Sequence, residues 1–139
     1  MPSQLTQLVY FSEVNPAQPF DLESILRVAQ KENKRQFITG ALWMYKKYFI
    51  QVLEGERAKV STLYNKIIQD KRHERVVLVG CVDVEQRDFA DWWMAYIMDN
   101  KRNQDLILKY ACSDVLEPRK MSHKRLLNLM KESQMSQSA

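Results

Sequence analysis

Residues 38–55 read ITGALWMYKKYFIQVLEG, and the fold turns on how this stretch is read. Ile38, Ala41, Leu42, Trp43, Met44 and Tyr45 form an apolar, aromatic run. Lys46-Lys47 is a short polar break, and Tyr48 to Leu53 is a second run. Two such runs around a short break predict a β-hairpin. Lys-Lys is a poor turn dipeptide, so the turn type stays open. Strand side chains alternate, so Ile50 and Val52 point one way and Phe49, Gln51 and Leu53 the other. Gln51 therefore shares a face with two large hydrophobes. A buried amide without partners costs about 1–3 kcal/mol. The ordinary reading is a core Gln bonded to backbone; the sharper one is a Gln facing a bound polar ligand.

Working outward, QLTQLVYFS at 4–12 predicts a first strand, buried on both faces near its end, with Tyr10 inside it. A buried phenol wants a partner. Asn15 to Pro19 is a loop. Asp21 is a good N-cap, and Leu22, Ile25, Leu26 and Ala29 recur at helical spacing, giving a helix from about 21 to 33. Asn33 falls at its end, where a left-handed cap is the ordinary role.

Gly55 closes the hairpin. Residues 57–70 form a second amphipathic helix with Val60, Leu63, Tyr64, Ile67 and Ile68 on one stripe. Lys66 and Asp70 are spaced for a solvated ion pair, and Asp70-Lys71-Arg72-His73 ends the helix. The β-branched run from Val76 to Val84 predicts a central fourth strand. Arg87-Asp88-Phe89 leads to a fifth, Trp92 to Met98, with Trp92 and Met94 on one face and Trp93 on the other. Core packing is their ordinary role.

Beyond Asn100 the character changes. Gln104–Ala111 predicts a short helix and Pro118–Glu132 another, with His123, Leu126, Leu127 and Met130 on one face. SQMSQSA at the end reads as frayed. The chain thus divides into a domain at 1–100 and a helical extension at 101–139. The helices at 21–33 and 57–70 take one face of the sheet. The tail helix is expected to cover the opposite face or to swap into a partner subunit there.

The 139 residues suit one domain with a real core, at 45% hydrophobic and 27% charged. No apolar run is long enough to span a bilayer, and the N-terminus lacks a secretory pattern. Cys81 and Cys112 sit in no metal or redox spacing, which suggests reduced thiols in a cytoplasm. The net charge of +4 is uneven. Residues 1–100 carry 13 basic and 13 acidic side chains; residues 101–139 carry 8 and 4. A nucleic-acid-binding domain would carry its basic footprint on the folded body, so binding of DNA or RNA is not expected.

With three glycines there is no phosphate loop. Two distant histidines offer no metal site, and no nucleophile–base pair stands out. What remains is a cleft between two helices, with a Tyr and a Gln pointing in and an Asn and a Lys/Asp pair at its rim. That suits a planar heteroaromatic ligand with a polar tail, and a binder more than an enzyme.

The β-α-β-β-α-β-β order resembles the BLUF family of flavin-based blue-light sensors. The pieces are QLVYFS at 7–12, ENKRQFITGAL at 32–42, YFIQVLEGE at 48–56, YNKIIQDKRH at 64–73 and RDFADWWM at 87–94. Each is common alone, and together in order they are specific. The resemblance implies an α+β, ferredoxin-like sheet with the flavin ring between its two helices. It implies FAD, or FMN, held without a covalent bond. Tyr10 corresponds to the photoactive tyrosine, Gln51 to the switching glutamine and Asn33 to the side chain on the flavin edge. Ile25 and Ile67 correspond to the residues that sandwich the ring. Lys66, Asp70, Arg72 and His73 correspond to contacts on the ribityl-phosphate side, and Trp92 and Met94 to the pair implicated in output. Glu32, Phe37 and Trp93 depart from the usual pattern.

The resemblance also implies a mechanism. Tyr10 gives an electron and a proton to the light-excited flavin, and Gln51 relays the proton and reverses its hydrogen bonds, giving a small red shift. The expected protein is a cytoplasmic photoreceptor that signals to a downstream protein and forms homo-oligomers, with no membrane or nucleic-acid partner. A ferredoxin-like RNA-binding module and a structural oligomerisation domain are the rival readings.

Overall fold

In a computed structural model, which describes residues 4–139, the hairpin forms as the alternation predicts. Strand β2 (Thr39–Tyr45) pairs antiparallel with β3 (Tyr48–Glu56), with Tyr45 opposite Tyr48. Lys46 and Lys47 make a two-residue turn, and Lys46 takes a left-handed φ of 52°. That conformation costs a non-glycine residue roughly 1–2 kcal/mol. Gly55 does not close the hairpin but lies within β3. Gly40 is needed for another reason: a Cβ there would sit 1.9 Å from the carbonyl oxygen of Val52.

The first strand, β1 (Leu5–Val14), lies between β3 and β4 (His73–Asp83), antiparallel to both. A short β5 (Ala95–Ile97) runs parallel to β2, and β6 (Met135–Ser136) pairs antiparallel with β5. The sheet order is β4-β1-β3-β2-β5-β6. The expected ferredoxin-like order of elements is present, with two corrections. β4 is an edge strand, not a central one. β-branched residues favour any pleated strand and do not specify a centre, and Leu78 and Val82 stay 48% and 43% exposed. Register shifts against β1 and the charged Glu74, Arg75 and Asp83 blunt this edge. The terminal residues are not frayed: β6 closes the other edge.

Helix α1 (Leu22–Gln36) is capped by Asp21, whose side chain accepts from the Glu23 N–H. It runs three residues past the expected end. The left-handed cap is Phe37 (φ 54°), not Asn33, and its N–H reaches back to the Asn33 carbonyl. Helix α2 (Arg57–Ile68) stops two residues early, at the Gln69 cap. Both helices cover the face carrying Leu8, Tyr10, Leu42, Phe49 and Leu53.

The opposite face carries Val9, Phe11, Ala41, Trp43, Ile50 and Val52. It is covered by the segment after β5: α3 (Lys101–Asp105), α4 (Ile107–Tyr110), a 3-10 turn at Pro118–Lys120, and α5 (His123–Glu132). The proline starts a separate turn rather than the long helix expected from residue 118. Leu126 and Met130 are fully buried there as expected, joined by Leu129. Both sheet faces are thus occupied, leaving no open sheet on which RNA bases could stack.

Candidate functional site

Strand alternation puts Tyr10 and Gln51 side by side, since β1 and β3 pair Tyr10 opposite Gln51. Both are buried, and the Tyr10 hydroxyl donates to Gln51 Oε1. Burial raises the Tyr10 pKa strongly, with Tyr64 and the Asp70 carboxylate adding to it, so the phenol stays protonated. The far side of the Gln51 amide meets a thioether: its Nε2 lies 3.5 Å from Met94 Sδ. With one side on a strong donor and the other on a weak acceptor, the amide has a defined orientation.

These two residues floor a cleft of about 350 Å3 between α1 and α2. Ile25 and Ala29 line it from α1, and Leu63 and Ile67 from α2. Leu42 and Phe49 complete the apolar lining, and Asn33 sits at the buried end. Its Nδ2 donates to the Trp93 carbonyl at 2.8 Å. One turn back along α1, Gln30 donates to the Met94 carbonyl at 3.1 Å.

At the open end are Lys66, Asp70, Arg72 and His73. Asp70 does not pair with Lys66. It binds Arg72, whose Nε lies 2.9 Å away, and this bond holds the carboxyl below its usual pKa. The chain turns at 69–72 instead of continuing the helix, so the i, i+4 geometry never forms. Lys66 makes no ion pair among the described residues and is free to meet an anion. His73 is engaged at both ring nitrogens, by Ser12 Oγ at 2.7 Å and the Ile67 carbonyl at 2.5 Å. It serves as a wall edge-on to Tyr10 and Phe49.

Trp92 and Met94 do not share a face. Residues 91–94 form a turn, so two-residue alternation does not apply before Ala95. Met94 is buried on the cleft side, while Trp92 packs into the core on the opposite face and Trp93 is 36% exposed. Sequence reasoning missed Phe49, Leu63 and Tyr64 as parts of the site. Phe49 lies two residues before Gln51 and Leu63 four before Ile67, so both spacings carried the signal. The Tyr64 ring lies 5.5 Å from that of Tyr10.

Among the described residues no group of three or more His, Cys, Asp or Glu is placed to hold a metal, and no helix is long and apolar enough to cross a membrane. Cys81 and Cys112 are free and exposed, and neither lines the cleft.

A family model described as BLUF, sensors of blue-light using FAD, matches residues 5–95. Photoactivated adenylate cyclase subunit alpha of Euglena gracilis is 42% identical over 88 residues, 63% of this chain and 9% of that protein. The blue light- and temperature-regulated antirepressor BluF of Escherichia coli K12 is 33% identical over 87 residues, 62% of this chain and 22% of that one. The chain thus spans a minor part of these relatives. Among solved structures, the photo-activated state of BlsA superposes with a TM-score of 0.86 at 26% identity, covering 95% of this chain and 98% of that one. The dark state of BlrB, a BLUF protein, gives 0.76 at 28%, covering 93% and 96%.

Proposed function

The chain belongs to the BLUF family of blue-light sensors that use FAD, and on that premise we propose how its own residues bind the flavin and read out the light. The observation that carries the proposal is the Tyr10–Gln51 hydrogen bond at the floor of the α1–α2 cleft. The residues present fit a flavin. Ile25 and Ile67, from facing helices, give apolar walls for a flat ring. Asn33 and Gln51 offer amide groups to its polar edge. Lys66 and the Arg72–Asp70 pair supply charge and hydrogen bonds at the open end for ribityl and phosphate groups. His73 joins them as the wall that fixes this end, since its ring nitrogens are already engaged.

Bound flavin supplies a light-excited electron acceptor. Tyr10 is the donor: a neutral phenol can give up an electron and a proton together, and its O–H already points at Gln51. Gln51 receives at Oε1 and donates from Nε2, so it can carry the proton onward and turn over. Rotation of the amide would bring Nε2 to the Tyr10 oxygen and Oε1 to Met94. A thioether cannot donate, so Met94 would lose its contact with Gln51, leaving this segment held on the cleft side by Asn33 and Gln30 alone. Met94 is therefore the output contact, with Trp92 answering from the other face through the same turn.

In this reading residues 1–100 form the flavin-binding unit and 101–139 an extension that cooperates with it. The protein acts as a sensor, not a catalyst. It works in the cytoplasm, forms homo-oligomers and signals to a downstream protein. The relatives include photoactivated adenylate cyclases and an antirepressor, which supports an effector in trans or in cis.

The test is direct. Purified protein should be yellow, release FAD on denaturation, and show a small reversible red shift under blue light. A colourless chain that takes up no added FAD or FMN overturns the reading.

A further inference from the structure

A second concave site lies away from the flavin cleft. A groove of about 480 Å3 lies between the hairpin tip and the tail, lined by Lys46, Lys47, Tyr48, Leu116, Arg119 and Lys120 among others. Its floor is apolar: the Tyr48 ring, Val115, which is 39% exposed, and the stems of the lysines. Four cations stand on its rim, with Glu117 the one carboxylate among the lining residues. This groove gathers two features that flavin binding leaves unexplained. One is the Lys-Lys turn, whose Lys46 holds a left-handed φ where glycine or asparagine would be cheaper. The other is the basic excess of residues 101–139, of which Arg119 and Lys120 are part.

The local charge does not cancel. A single carboxylate, Glu13, only 12% exposed, is shared by Lys47 at 3.3 Å, Arg75 at 3.7 Å and Arg119 at 3.7 Å. These three cations remain 56–64% exposed, so each can meet a further anion. Lys120 pairs with Glu117 at 2.9 Å, and Lys46 has no ion pair among the described residues. Lys46, Lys47, Arg119 and Lys120 thus line the groove against Glu117, while Arg75, which also pairs with Glu74, does not line it.

We propose that this groove docks an acidic segment of a partner protein, one that also carries an apolar side chain for the Tyr48–Val115 floor. Charge complementarity selects an anionic partner, and the apolar floor selects a peptide over a phosphate backbone, which offers nothing to bury there. The groove is also connected to the switch. It sits at the tip of β3, three residues from Gln51, and the Tyr45 hydroxyl accepts from the Leu116 N–H at 3.4 Å. The inference rests on the signalling reading above and names the class of partner.

Fluorescence anisotropy with a labelled synthetic peptide alternating Glu and Leu tests it, using the full flavin-loaded chain. The peptide should bind, its Gln-for-Glu twin should not, and added salt should weaken binding. Lys46→Glu with Lys120→Glu should weaken it about tenfold, by loss of attraction and gain of repulsion at two exposed sites. Flavin content and the light-induced shift, read on the same samples, should be unchanged, since neither lysine lines the cleft. Equal binding of the Gln twin, unchanged binding by the double variant, or no peptide binding with an intact photocycle would overturn the proposal. So would a DNA duplex of similar charge that binds more tightly than the peptide and is lost in the same variant. Loss of colour or of the light-induced shift in the wild-type chain instead strikes the photoreceptor reading, because peptide binding in the dark needs no photochemistry.

Discussion

Tyr10→Phe separates photochemistry from architecture. The Tyr10 ring is 3% exposed and packs 5.5 Å from Tyr64 and 6.3 Å from His73, contacts that phenylalanine keeps. What disappears is one hydroxyl and its bond to Gln51 Oε1. A buried acceptor left without a donor costs about 1–3 kcal/mol. The lower end applies, because the bond joins two neutral groups. About 1 kcal/mol in a domain of this size lowers Tm by roughly 3–5 °C. The variant should therefore fold and keep its flavin while losing the light-induced red shift. Because burial holds the wild-type phenol in its protonated form, the wild-type response should not titrate with Tyr10 anywhere in the ordinary pH range. Absorption before and after blue light, with flavin content and a melt on the same sample, decides the matter. A full wild-type shift in the phenylalanine variant would falsify the assigned donor.

Gln51→Ala should likewise bind flavin but abolish the usual photocycle, by removing both the acceptor for Tyr10 and the contact to Met94; absorption spectroscopy would contradict this by showing an unchanged shift. Gly40→Ala forces a Cβ to within 1.9 Å of a backbone oxygen on the paired strand, so urea unfolding should show a loss of more than about 2 kcal/mol. Leu126→Ala should cost about 2–5 kcal/mol if α5 is part of the core, as its complete burial requires; a loss under about 0.5 kcal/mol would mean a detachable tail. His123 is held below its ordinary pKa of 6.5 by burial, so the unfolded chain binds its proton more readily. Its contribution to stability is complete above pH 6.5 and declines as pH falls below it, and melts of wild type and His123→Gln should converge in shape only above that point.

The two-residue alternation was enough to read the hairpin, the two sheet faces and the Tyr10–Gln51 neighbourhood. Burial on both sides gives an unambiguous register, since a slip by one residue would exchange the faces. The same rule failed at 91–94, where the backbone turns and Trp92 and Met94 part company. It also failed to rank strands. β4 is as β-branched as a central strand, yet the crossover through α2 leaves it outside β1. Asn33 looked like a cap because Asn tolerates left-handed backbone, but helix α1 continues to Gln36 and Asn33 Nδ2 donates to the Trp93 carbonyl. Distances across the chain were not legible at all. Nothing local says that Asp70 prefers Arg72 to Lys66, or that Met135 and Ser136 complete the sheet.

One segment touches both faces of the sheet, and it is the one that delivers Met94. Its later part is held on the cleft side, where Asn33 and Gln30 take the carbonyls of residues 93 and 94 and Gln51 meets the Met94 sulfur. Its earlier part is held on the tail side by Glu54. That fully buried carboxylate accepts from the N–H groups of Asp88 and Phe89, from Thr39 Oγ1 and from Gln7 Nε2, at 2.8–3.0 Å. Gln7 Oε1 accepts from His123 Nε2 at 3.0 Å, and Asp88 pairs with Lys131 at 3.1 Å, so the same network grips both ends of α5. Strand β3 is paired on both sides and cannot move far. A change at Gln51 therefore has a softer route through 88–94 than through the sheet. Four hydrogen bonds to one buried carboxylate make the Glu54 end the fixed point, and two neutral side-chain bonds plus a weak thioether contact make the Met94 end the yielding one. Hydrogen exchange in dark and light should then change first at 92–98 and second at 118–132, while the amides of 88 and 89 stay protected. Light-dependent loss of protection at 88 and 89 with 92–98 unchanged would place the hinge at Glu54 instead.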